Sequence, residues 1–460
     1  MTPRSLTPLL CALGLAALPG TSLFAQPVES LEGERFEATL AGQAILPAET
    51  AIAPPEDAPA LLRHSGRFTG PDNRRETTLN AHSMRDGVRP TGGSLPMEGQ
   101  PVQGFSGISA LDDGTFWTLS DNGFGRKLNS PDAALMLHRI EPDWQTGELH
   151  RLETIFLSDP ERVAPFPITL EGSNTRYLTG SDFDIESIQP VEDGFWIGEE
   201  FGPWLLKFDR QGRLEALFDT RTATGEVSSP DDYGLSLPGA PDGEMPAFNL
   251  RRSGGFEGMA ITPDGEYLLA MLEGPLHRDG APEQVADGRT ALRVLEFDIS
   301  EEAWTGRSWH YPLGEGGAAI GDFNMLDDTT GLVIERDHGA GRPALACEGE
   351  PRTDCFAEPA QWKRIYSISF DGVADGEPVE KLGYIDLMDI RDPEGIARQG
   401  GQGDRYDMPF VTIENVDRVD ERHIIVGNDN NYPFSAGRAL DRADDNEFVL
   451  LEVSELLKAR

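Results

Sequence analysis

Apolar residues in this chain fall in short runs that alternate with polar positions at period two and are rich in β-branched and aromatic side chains. That is the pattern of strands rather than helices. The clearest case runs from Asp182 to Pro203, where Asp193-Gly194 separates two apolar runs. Asp-Gly in that setting is a β-hairpin turn signal. Glu186 lies seven residues before Asp193, and Glu199 and Glu200 lie five and six after Gly194. In an antiparallel hairpin these positions meet at the open end. Side chains alternate faces along a strand, so Asp182, Asp184 and Glu186 are expected on one side.

The unit recurs. Phe105-Ser-Gly-Ile108 passes through Asp113-Gly114 and ends at Ser120-Asp121-Asn122-Gly123. Phe256-Glu-Gly-Met259 passes through Asp264-Gly265 and ends at Glu273-Gly274-Pro275. Ile413-Glu-Asn-Val416 passes through Asp420-Glu421 and ends at Asn428-Asp429-Asn430-Asn431. A weaker copy runs from Asp322-Phe-Asn-Met325 through Asp327-Asp328 to Glu335-Arg336-Asp337-His338. Each hairpin is followed by a third run, as in Leu135–Asp143, Leu205–Gly212, Leu292–Asp298, Lys363–Gly372 and Phe448–Val453. A repeated hairpin unit predicts an all-β fold, a β-propeller. The repeats are spaced more widely than the ~40–50 residues of compact blades, so long outer strands or insertions are expected. Five blades can be counted. A sixth is expected from the N-terminal region, closing against the C-terminal strand.

Outside the repeats the pattern changes. Residues 1–25 join one basic residue, an apolar stretch and a small residue at Ala25, which reads as a secretory signal peptide carrying Cys11 away with it. Residues 26–95 read as an irregular segment with one or two strands, and 96–460 as the propeller domain. Residues 221–253 and 277–290, rich in Gly, Pro, Asp and Thr, read as surface loops. No later apolar stretch is long enough to span a bilayer. Periplasmic or secreted location follows, and in an oxidising compartment Cys347 and Cys355 are expected to form a disulfide.

Charge changes the picture further. The formal net charge is −40, and only five of the 39 basic residues are lysines. Such an acid excess excludes nucleic acid as a partner, since phosphate backbones need basic patches. The expected partner is a small-molecule substrate, possibly phosphorylated, met by a monomer.

Candidate chemistry sits on the repeat ends. With the open ends of all hairpins at one rim, Glu186, Glu257 and Glu414 come from three blades to one mouth, with Asp121, Glu199, Glu200, Glu273, Asn428 and Asn430 beside them. Oxygen ligands from several loops suit calcium. Gathered carboxylates repel unless a cation or strong donors offset them. The competing reading is that these glutamates cap their own loops by accepting backbone N–H groups. Glu186, Glu257, Glu335, Asp337 and His338 are the candidates for proton transfer. Arg126, Lys127 and Arg438 follow motif ends and are candidates for contacting an anionic substrate. Ser106 takes the place of the glutamate in its repeat, but Gly104-Phe-Ser-Gly107 lacks the strand-to-helix setting of a nucleophile elbow.

Glu186-Ser-Ile188, Gly198-Glu-Glu-Phe-Gly-Pro203, Phe256-Glu-Gly-Met-Ala260 and Ile413-Glu-Asn-Val416 together resemble the exported bacterial phytase-like proteins, the esterase-like activity of phytase family. The resemblance covers roughly residues 100–455. It implies a β-propeller, export, and hydrolysis of phosphoesters or other esters. β-Propeller phytases hold several calcium ions that bridge phosphate to carboxylates, but their motifs do not match this chain residue by residue, so no catalytic residue is carried over. Three functions stay open: a calcium-dependent phosphoester hydrolase, a metal-dependent hydrolase of another ester or lactone, and a non-catalytic binding propeller with structural calcium.

Overall fold

The computed structural model describes residues 32–70, 72–235 and 247–460. The expected signal peptide, Cys11 and the cleavage point at Ala25 lie outside the described residues. Residues Glu32–Arg460 form one compact unit, so the segment before residue 96 is not a separate body.

Five four-stranded antiparallel meanders make up the fold. In the first, Phe105–Ala110, Phe116–Ser120, Met136–Asp143 and Glu148–Phe156 pair in chain order. Ile185–Val191, Gly194–Glu199, Trp204–Asp209 and Leu214–Asp219 make the second. The third holds Phe256–Ile261, Tyr267–Leu272, Ala291–Asp298 and Ala303–Pro312. The fourth holds Ala319–Met325, Thr330–Arg336, Lys363–Ser369 and Glu380–Asp386, with Glu34–Phe36 added in parallel at its edge. The fifth takes Thr412–Arg418, His423–Asp429 and Asn446–Glu452 from the C-terminal end of the chain. Its fourth strand is N-terminal, Thr39–Leu46, antiparallel to Asn446–Glu452.

The first strand of each blade lies against the first strand of the next, and the fifth returns to the first. The ring is therefore a five-bladed β-propeller. The N-terminal region does close against the C-terminal strand as expected. It does so by completing the fifth blade, and no sixth blade exists among the described residues. One apolar strand cannot bury its face alone, whereas paired with Asn446–Glu452 it buries Leu40, Ala44 and Leu46. Apolar packing has the same five-part order. One core joins blades one and two around Trp117, Leu137, Ile185 and Leu206; its counterpart between blades four and five holds Ile334, Ile365, Val416 and Val426.

The inner hairpins turn as the sequence implies. Gly114 and Gly265 have φ of 84° and 74°, a region open to glycine, and Asp113 and Asp264 each accept a backbone N–H two residues on. In blade two the register pairs Val191 with Gly194, so Glu192-Asp193 is the turn and Gly194 already begins the strand. The weaker fourth copy shifts by two residues, because strand pairing aligns Ile320-Gly-Asp-Phe323 with the other motifs. Cys347 and Cys355 form the expected disulfide.

Candidate functional site

Every inner strand carries a register shift at its second residue or the one after it. Such bulges re-aim side chains. Aligned on them, the four-residue motif divides into roles. Its flanking apolar residues enter the inter-blade cores. Its third residue meets the next blade. A Cβ on Gly107 would come within 2.8 Å of Ser187 Cα, and one on Gly258 within 2.8 Å of the Phe323 nitrogen. Ser187 Oγ donates to the Phe256 carbonyl at 3.4 Å, Asp322 Oδ2 accepts from Val416 N at 2.8 Å, and Asn415 Nδ2 donates to the Phe105 carbonyl at 2.6 Å. These five contacts run round the ring and close it. The second residue is left to face the channel at Ser106, Glu186, Glu257 and Glu414, whereas at Gly321 a Cβ would meet the Ile413 carbonyl.

A second ring comes from the residue just beyond the second strand's pairing with the motif: Asp121, Glu200, Glu273, Arg336 and Asp429. Asp184, one residue before its motif, joins them. Eight carboxylates and one guanidinium thus share a well at the open ends of the hairpins. Its floor is closed by an amide pair. Asn324 Nδ2 donates to the Ile108 and Val416 carbonyls at 2.9 Å each, while Gln189 Nε2 donates to the Met259 carbonyl at 2.6 Å and to Asn324 Oδ1 at 2.8 Å. Those groups come from all five inner strands, so the well is blind.

The well has two halves. On one side Arg336, 5% exposed, lies 2.9 Å from Glu414, 3.0 Å from Glu273 and 3.5 Å from Glu257. Burial works to lower the Arg336 pKa, but the surrounding carboxylates, Glu414 first, outweigh it and raise it. Ser106 Oγ donates to Glu414 Oε2 at 3.4 Å. On the other side one oxygen from each of Asp184, Glu186 and Glu200 lies within 4.8 Å of the others. All three residues are buried, and Asp184 Oδ1 and Glu200 Oε1 have no hydrogen-bond partner. Asp121 borders this half, accepting from Gly123 N at 2.8 Å and Gln103 Nε2 at 3.2 Å.

Crowding and burial set the electrostatics. Burial first, then neighbouring carboxylates, pushes Glu186, Glu200, Glu257 and Asp121 well above the ordinary carboxylate range. Burial raises Asp184 and Asp429 to about 6, Glu273 to about 7 and Glu414 to about 8.

Of the residues singled out in the sequence, Glu186, Glu200, Glu257, Glu273, Glu414 and Asp121 come together here. Glu199 does not. Strand alternation turns it away from its neighbour Glu200, and its carboxylate accepts from Phe201, Gly202 and Trp204 N at 2.7–2.8 Å, a loop cap. Asn428 and Asn430 are occupied in holding the blade-five loop, accepting from Glu447 N and Gly104 N at 2.7 and 3.2 Å. Glu335 points away from Arg336 and is bound by Tyr311, Gly314, Trp362 and Lys381 at 2.7–3.0 Å. Asp337 caps the 361–362 turn beside Lys363, and His338 is exposed on the loop after it. Asp182 holds Thr169 and Thr179 rather than sharing a side with Asp184 and Glu186.

Among the expected anion contacts, Arg438 is buried and ion-paired with Glu447 and Asp407 at 2.9 and 3.0 Å. Lys127 donates to the Asp231 carbonyl at 2.7 Å and covers the Tyr233 ring. Arg126 alone is exposed and without a side-chain partner among the described residues. Arg336, Asp184 and Asp429 are well residues that their place in the motifs could have supplied, since each ends or precedes a repeat unit.

A family description, phytase-like with esterase-like activity of phytase, matches residues 100–432. A secreted protein of Arthroderma benhamiae is 26% identical over 363 residues, covering 63% of this chain and 69% of that one. Among solved structures, the periplasmic gluconolactonase of Pseudomonas aeruginosa is 13% identical over 81% of this chain and 98% of its own, with a TM-score of 0.30. The PQQ-bound aldose sugar dehydrogenase of Streptomyces coelicolor gives 13%, 82%, 98% and 0.30.

Proposed function

Because the chain belongs to the phytase-like family, we propose that it is an exported metal-dependent hydrolase that holds calcium in the carboxylate well and cleaves a phosphoester. One observation carries this reading: the buried trio of Asp184, Glu186 and Glu200, in which Asp184 Oδ1 and Glu200 Oε1 have no hydrogen-bond partner among the described residues. Three gathered carboxylates are costly without a cation. Arg336 offsets the charge of the opposite half, leaving this one uncompensated. An all-oxygen donor set without histidine or cysteine suits calcium and not zinc. Asp184, Glu186 and Glu200 would hold the ion, with Asp121 at its edge.

Calcium bound there supplies a Lewis acid to a phosphoryl or carbonyl oxygen. The remaining work falls to the chain. Glu257, whose Oε1 lies 3.5 Å from Arg336 and makes no hydrogen bond among the described residues, is the candidate to give or take a proton at the leaving oxygen or attacking water. The Gln189–Asn324 floor closes the channel below, so substrate and water enter from one mouth. Export is supported by the N-terminal sequence pattern, by the secreted relative, and by the lack, among the described residues, of a helix long and apolar enough to cross a membrane. The engagement of Lys127 and Arg438 in other contacts favours a second reading, hydrolysis of a carboxylic ester or lactone by the same well.

Calorimetric calcium titration tests the site, and hydrolysis of an aryl phosphate and an aryl acetate, each with calcium and with chelator, tests the chemistry. Glu200→Gln should weaken calcium binding by about ten-fold or more, as losing a ligand should cost at least what losing a ligand's partner does. No calcium binding by the unaltered chain would sink the metal site. Binding without turnover of either ester would leave a non-catalytic propeller.

A further inference from the structure

In a chain with 79 acidic residues, one cavity beside the well has no Asp or Glu in its lining. It measures about 590 Å³, within the usual range of small-molecule sites. Part of its wall comes from Arg67 and from residues 79–87, which belong to no blade and lie beside Asn129 and Phe434 of blades one and five. Arg67 and Arg126 both line it, and neither has a carboxylate partner among the described residues. The Nε of Arg67 is buried without any hydrogen bond, and its guanidinium sits 5.0 Å from the centre of the Phe434 ring. Leu79, Met84 and Phe124 give the wall an apolar part, beside the polar Asn80, His82, Ser83, Asn129 and Asn431.

The cavity is coupled to the well by its own lining. Gly123 donates its N–H to Asp121 at 2.8 Å, and Asn431 donates its N–H to Asp429 at 2.5 Å. A molecule seated against Arg67 and Arg126 therefore lies next to the carboxylates across two backbone groups. Two unpaired arginines in an otherwise acid-saturated protein match a planar or tetrahedral oxyanion, which the guanidinium fork binds bidentately. The Phe434 face and the apolar wall match an unsaturated or aliphatic body.

We infer that this cavity seats an oxyanion-bearing apolar part of the substrate, so that the hydrolase proposed above acts on an acidic organic ester whose scissile bond lies over the well. This rests on the hydrolase reading for its outcome, but seating the anion needs no metal. The Arg67–Arg126 pair takes a carboxylate or a phosphate alike, and the ester's acidic group is one of these.

The test is calorimetric titration of the full-length mature chain in chelator with phenyl phosphate, benzoate, inorganic phosphate and benzyl alcohol. Phenyl phosphate or benzoate should bind, and whichever binds tighter identifies the acidic group. Inorganic phosphate should bind more weakly for want of the apolar body, and benzyl alcohol should not bind. Arg126→Gln, a change at an exposed residue, should weaken binding by about ten-fold, and Arg67→Gln combined with it by about a hundred-fold or more. Binding that both variants leave unchanged, or no binding of either aryl anion to the unaltered chain, would overturn the assignment. Because calcium is absent throughout, a failure of the metal site leaves these outcomes readable.

Discussion

Removing the one cation in the well is the sharpest perturbation of its electrostatics. Arg336→Gln keeps a hydrogen-bonding side chain of reduced length and deletes the charge that meets Glu414, Glu273 and Glu257 at 2.9, 3.0 and 3.5 Å. At 5% exposure the guanidinium is hardly screened by solvent, so the loss belongs to the class in which one partner of a buried pair is removed, about 3–5 kcal/mol. For a compact unit of roughly 430 residues, unfolding entropy near 2 cal/mol/K per residue converts this to a fall in Tm of about 3–6 °C. The cost should depend on pH. Above pH 8 Glu273 and Glu414, at about 7 and about 8, are driven towards ionisation and face one another and Glu257 without a counterion. At pH 5.5 they can hold protons, because burial already lifts Glu273 to about 7 and Glu414 to about 8. Thermal unfolding of the unaltered chain and the variant, in chelator at pH 5.5 and 8.5, gives two differences to compare. An equal loss at both pH values would mean that Arg336 contributes packing rather than charge. No loss at pH 8.5 would refute the division of the well into a neutralised and an uncompensated half.

Two further outcomes follow from the same geometry. In chelator, stability should fall as pH rises from 5 to 7. Folded pKa values of Asp184, Asp429, Glu273 and Glu414 lie above their ordinary 3.8 and 4.5, so the folded state keeps protons that the unfolded state releases, at about 1.4 kcal/mol per pH unit for each proton kept. His138, which burial holds neutral down to about 3, pulls the other way but is outnumbered. Saturating calcium should flatten this slope, and a Tm that rises across the window in chelator would contradict it. Separately, Gly321→Ala should cost several degrees of Tm, since its Cβ would come within 2.0 Å of the Ile413 carbonyl on the adjoining inner strand. A variant that melts with the unaltered chain would show that these two strands can part without penalty.

The repeat was legible because each unit carries its own punctuation. Asp113-Gly114 and Asp264-Gly265 mark hairpin turns by local chemistry alone, and local chemistry survives folding. Blade number was less legible. Thr39–Leu46 has only weak alternation, and its assignment depends on Asn446–Glu452 some four hundred residues away. A strand donated from the opposite terminus looks, in sequence, like part of an additional unit.

The site was legible in outline and blurred at single-residue resolution, and bulges account for the difference. Simple alternation places Asp182, Asp184 and Glu186 together, but the register shift between Ile185 and Ser187 falls in this stretch, and Asp182 sits in the preceding turn. Alternation holds at the end of the next strand, where it separates Glu199 from Glu200. One becomes a loop cap with three backbone donors, the other a buried carboxylate with a free oxygen. Of the two competing expectations, loop cap and metal ligand, the first describes Glu199, while Glu200 is left with an unbonded oxygen among the described residues. Blade four shows the same logic from the other side. Close approach of the Ile413 carbonyl admits only glycine at its motif position, and the residue just beyond its second strand's pairing with the motif is Arg336 where the other blades have Asp or Glu. A repeat that loses its carboxylate and supplies a cation places Arg336 among Glu257, Glu273 and Glu414, while the trio of Asp184, Glu186 and Glu200 has no such cation beside it among the described residues.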